Sequence, residues 1–129
     1  MKEDEANRLL QSLLGRKNAE WIQEGGFIRF RAKHDGMLWE TACRARENAM
    51  VFYARFPFRC REPEKARRVC EEMNRKLIRG ALFLGEDSSP VYRCTAELDD
   101  VFGAEERLDE ALLYSARVVA HVWGRLSGT

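Results

Sequence analysis

The chain has 129 residues, 45% of them hydrophobic and 33% charged, with a net charge of +1. This is the size and balance of one soluble globular domain, residues 1–129, that can bury a core without metal or disulfides. It leaves no overall field to steer the protein onto nucleic acid or membrane, and no run approaches the roughly 18 apolar residues of a membrane span.

The first stretch, MKEDEANRLLQSLLG, lacks the apolar centre of a signal peptide, so a cytoplasmic protein is expected. Cys43, Cys60, Cys70 and Cys94 then stay reduced. They form no C-x-x-C and each falls in an apolar pattern, as small core residues do. Ala6, Leu9, Leu10, Leu13 and Leu14 recur at helical spacing, and Gly15 suits a stop. Residues 16–26 read as a loop or irregular strand, with Trp21 and Ile22 plugging the core edge.

From Phe27 the period changes to two. Ile28, Phe30 and Ala32 alternate with Arg29, Arg31 and Lys33, and Asp35-Gly36 is a favoured pair for a two-residue hairpin turn. Met37, Trp39, Thr41, Cys43 and Ala45 form the next apolar set. After Glu47-Asn48 come Met50, Phe52, Ala54, Phe56 and Phe58. Two-residue loops at both turns put Ile28 opposite Cys43, Phe30 opposite Thr41, and Cys43 opposite Phe52, with every apolar set on one side. A slip of one residue would reverse that.

Pro63 suits the first turn of a second helix, with Ala66, Val69, Cys70, Met73 and Leu77 as its buried stripe and Gly80 at its end. ALFLG and PVYRCTA are strand-length runs joined by the polar tip Glu86–Ser89, a hairpin rather than a phosphate loop. The last segment carries Leu108, Ala111, Leu112, Ser115, Val118, Val119, Val122 and Leu126 on one broad helical face. Asp99 or Asp100 can cap this helix, or it starts near Glu105. The expected fold is α+β: a two-layer sandwich in the order α-β-β-β-α-β-β-α, about five antiparallel strands covered on one face by helices.

That order, with GGFIRFR running into an Asp-Gly hairpin, MVFYARFPFRC before the second helix, NRKLIRGALFLGEDSSPVYRCTAEL and the terminal LDEALLYSARVVAHVWGRL, resembles the bacterial YbjN-like family. The family is named for candidate sensory transduction regulators and is similar in fold to Tir-type type III secretion chaperones. The resemblance implies a non-enzymatic protein-binding domain, a regulator or chaperone-like adaptor, and brings no catalytic residues with it. Secretion chaperones are dimeric, so a homodimer is expected. They are usually acidic, and the abundant arginine here departs from that pattern.

The candidate binding face is the other side of the sheet. The register sets Arg31 opposite Glu40 and Glu40 opposite Arg55, with Arg29, Arg44, Arg46 and Tyr53 around them. An acidic peptide or protein fits such a face better than nucleic acid, because Tyr53 is the one aromatic expected there and RNA-binding sheets present two or three. A solvated face held by ion pairs is the plain alternative. His34 and His121 have no neighbours at ligand spacing, so neither metal nor cofactor is expected. Ser115 lacks a base at short spacing, and no catalytic residue is assigned. The competing reading is a small enzyme or ligand-binding domain with a pocket between the sheet and the last helix, near Trp39 and Trp123.

Overall fold

The computed structural model describes all 129 residues, Met1–Thr129. Three helices, α1 (Glu3–Arg16), α2 (Pro63–Asn74) and α3 (Ala104–Ser127), accompany six strands. The strands are β1 (Trp21–Glu24), β2 (Phe27–His34), β3 (Met37–Arg46), β4 (Ala49–Arg55), β5 (Ala81–Leu84) and β6 (Pro90–Glu97). They form one open antiparallel sheet in the order β1-β2-β3-β4-β6-β5. The α+β class and the element order are as expected, with six strands in place of about five.

The added strand is β1. Gly25 and Gly26 both take positive φ, the requirement of a tight hairpin turn, and Trp21 pairs with Phe30. Of the two readings of residues 16–26, loop or irregular strand, the strand holds over Trp21–Glu24, and it pairs regularly with β2. This corrects the role of Trp21 and Ile22, which are 37% and 57% exposed on the sheet edge and do not plug the core.

The meander register follows the sequence. Asp35 and Gly36 both have positive φ, and Ile28 pairs with Cys43, Phe30 with Thr41, Arg31 with Glu40, and Cys43 with Phe52. Strand β6 inserts between β4 and β5, so Phe52 is flanked by Cys43 and Cys94. Inward residues Ile28, Trp39, Met50, Phe52, Tyr92 and Cys94 meet Leu10 and Leu14 of α1, Ala66 and Cys70 of α2, and Leu108, Val119 and Val122 of α3 in one cluster of 29 buried residues. Burying one Leu or Phe side chain is worth about 1.5–3 kcal/mol. The helices therefore hold to this face and leave the other to solvent.

Helix boundaries differ in detail. Gly15 lies inside α1, and Asn18 takes the left-handed position beyond it (φ 57°). α2 ends at Asn74, short of Gly80, and the Asn74 side chain reaches across to β5. Its Nδ2 donates to Leu82 O (2.9 Å) and its Oδ1 accepts from Leu82 N (2.8 Å), covering the outer edge of β5. Neither Asp99 nor Asp100 caps α3. Gly103 stands at that position without a side-chain hydrogen bond, and Asp100 accepts from Phe102 N instead.

Candidate functional site

Alternation along the strands turns Arg29, Arg31, Glu40, Arg44, Arg46, Tyr53 and Arg55 away from the helices, onto the open face. The same alternation adds two aromatic rings, Phe27 on β2 and Phe83 on β5. Tyr53 is therefore not the one aromatic there, which corrects the sequence-based expectation. Phe27 is found by extending the alternation back one step from Ile28. Phe83 requires knowing that β5 joins the sheet through β6.

Five apolar side chains of this face fall on a diagonal across the strands, Phe27, Ala42, Tyr53, Val91 and Phe83, with Leu38 and Val51 off it. At about 4.8 Å per strand, it crosses roughly 19 Å from β2 to β5. Arg44 and Arg93 flank it on one side, and Arg29, Glu40 and Arg55 on the other. The diagonal, with Arg29, Glu40 and Arg55, lines an open cavity of about 270 Å³, and Arg44 and Arg93 lie outside that lining. Phe27 and Tyr53 meet edge to face, ring centroids 6.3 Å apart at 68°. The Arg44 guanidinium lies 5.5 Å from the centre of Phe27, and that of Arg93 6.0 Å from Tyr53.

The charges pair differently from the expected row. Glu40 stands between Arg31 and Arg55 in register, yet its Oε1 meets Arg29 Nη1 at 3.3 Å. Arg55 turns to Asp87, on the tip between β5 and β6. Arg31, Arg44, Arg46 and Arg93 have no carboxylate within ion-pair distance. Asp87 Oδ1 also accepts Ser89 N at 3.1 Å. Hydrogen bonding from Ser89, then the Arg55 guanidinium, holds this carboxyl below its usual range.

The space beneath α3 is occupied. Trp123 packs against Trp39 (6.5 Å between centroids), Phe56 (5.8 Å) and Phe58 (5.4 Å). A second concavity, about 570 Å³, lies instead between α1 and the β6–α3 loop, with Met1, Leu9, Val101 and Phe102 in its lining. His34 sits 3.6 Å from Asp35 at a hairpin end, and His121 is exposed on α3. Ser115 is buried with no partner for its Oγ. No helix is long and apolar enough to cross a membrane.

Neither a family model nor a curated protein matches this sequence. Among solved structures, the chain is similar to YbjN from E. coli, described as a candidate transcription regulator. The TM-score is 0.56 at 14% identity, over 88% of this chain and 91% of that one. The fold is thus YbjN-like.

Proposed function

From a fold shared with a candidate regulator, we propose that this chain is a non-enzymatic binding domain, a cytoplasmic regulator or chaperone-like adaptor whose partner is a protein. The working surface is the open sheet face. Its ligand is an acidic segment carrying an apolar or aromatic anchor, and a second copy of the chain is one protein that can supply it. One observation carries the reading: an apolar floor runs between arginines, of which Arg44 and Arg93 have no carboxylate of their own. An anchor on that floor removes apolar area from water, and the arginines select negative charge beside it.

Single-stranded nucleic acid is the runner-up, favoured by the three rings. Two features weigh against it. Phe27 and Tyr53 meet edge to face beneath guanidinium groups, so they do not offer parallel free faces to successive bases. Glu40 and Asp87 also put carboxylates along the path that a continuous phosphate chain would follow. A peptide can space its carboxylates to avoid them.

Fluorescence anisotropy tests this with a labelled acidic peptide bearing one Phe, a lysine counterpart and an oligo(dT). The acidic peptide is expected to bind, and Arg44→Glu to weaken it by about tenfold. Lys65→Glu on α2 leaves binding unchanged. Tighter binding of oligo(dT) would transfer the site to nucleic acid. Equal affinity for both peptides, or an acidic peptide indifferent to Arg44→Glu, would end the proposal.

A further inference from the structure

The loop from β6 to α3 holds two apolar side chains in water: Val101 is 71% exposed and Phe102 87%. The loop is braced from within. Arg107 donates from Nε to Glu97 O (2.7 Å), from Nη1 to Phe102 O (2.9 Å) and from Nη2 to Asp100 O. Phe102 N donates to Asp100 Oδ1 at 2.9 Å, and Gly103 takes φ 72° to let the chain enter α3. Asp99, Asp100 and Glu106 flank the pair, and none has a basic partner within ion-pair distance. The loop is thus a preformed aromatic knob between unpaired carboxylates.

We propose that this knob docks in the sheet groove of a second copy of the chain. The inference rests on the reading of the groove as a site for acidic, apolar-anchored segments, and it names that segment. Phe102 supplies the anchor for the floor at Phe27 and Tyr53. Asp99, Asp100 and Glu106 supply the charge that Arg44 and Arg93 lack. Bracing by Arg107 lowers the ordering cost on binding, because the loop already holds its shape. The knob stands beside α1, on the helix-covered side, and the groove lies on the open side. The contact is therefore between unlike surfaces, and copies join head to tail rather than as a closed two-fold pair.

Sedimentation velocity on the full chain tests it. The mean mass should climb past that of a dimer with concentration and return towards the 15.0 kDa of one chain as salt rises to about 0.5 M. Phe102→Ser and Arg44→Glu, both surface changes, should each weaken association by about tenfold or more. Mixed together, these two variants should form a 1:1 pair that grows no further, one chain keeping the knob and the other the groove. A mixture that stays monomeric, or a Phe102→Ser chain that associates like wild type, overturns the proposal. So does a wild type that is monomeric throughout. A synthetic peptide of residues 98–106 separates the two ideas. If it binds the groove of a chain that does not self-associate, docking fails and the groove reading stands. If the chain associates but neither that peptide nor Arg44→Glu has any effect, both fail.

Discussion

Asp87 stands on a tip whose backbone is pinned at several points: Gly85 N donates to Ser89 O at 2.9 Å, and Cys60 N to Ser88 O at 2.9 Å. Its carboxylate is consequently placed at one end of the groove, on the Arg55 guanidinium that an incoming acid would use. Asp87→Asn keeps the acceptor for Ser89 N and releases Arg55. Binding of the acidic peptide should tighten by about threefold to tenfold in the anisotropy titration. Because the folded-state pKa of Asp87 is depressed, its contribution to stability is present above the ordinary carboxylate range, about pH 4, and is lost as pH falls through the lowered value. The melting difference between wild type and Asp87→Asn should shrink there. Three cysteines behave in the opposite way. Burial pushes Cys43 well up, and Cys70 and Cys94 to about 11, so at neutral pH they are protonated as well as hidden. A thiol reagent should label them in urea and leave them untouched in the native protein.

Elements were legible where two signals agreed. Asp35-Gly36 and the alternation on both sides of it specify one register, and β2, β3 and β4 adopt it. β1 was less legible because all four of its residues are exposed, so no apolar alternation marks it; Gly25-Gly26 was the available sign. Gly80 was read as a helix stop, yet its role lies at the start of β5. It holds φ 74°, and a Cβ there would fall 2.4 Å from Arg93 O and 2.6 Å from the Tyr92 hydroxyl. Gly80→Ala must therefore strain the backbone and displace the hydrogen bond from Tyr92 Oη to Arg79 O (2.7 Å). It should cost about 2 kcal/mol or more in urea denaturation. The site was half visible for similar reasons. Register placed Arg31, Glu40 and Arg55 in one row, but long side chains lean diagonally. Glu40 meets Arg29 instead, and Asp87 arrives from a loop that no strand pattern can position.

The whole molecule divides its labour between two sides of one sheet, and substitutions should sort accordingly. Phe52→Ala, at the centre of the inner side, should cost about 3–5 kcal/mol of stability by urea denaturation. Arg44→Glu, on the outer side, should stay within about 0.5 kcal/mol while altering binding. This division was readable from alternation alone. The strand order was not, since nothing local says that β6 rather than β5 will lie beside β4.

That insertion has a consequence for how the protein is made. Strands β1 to β4 are joined by tight turns and can zip up quickly, but β4 must then wait for β6, whose residues emerge about forty positions later (Ala54 pairs with Tyr92). Until they arrive, β4 presents a bare row of backbone donors and acceptors beside Met50 and Phe52, the kind of surface on which nascent chains aggregate. Closure of the β4–β6 seam should thus be the slow step of folding, and the interval before it the time when the young chain most needs a chaperone of its own.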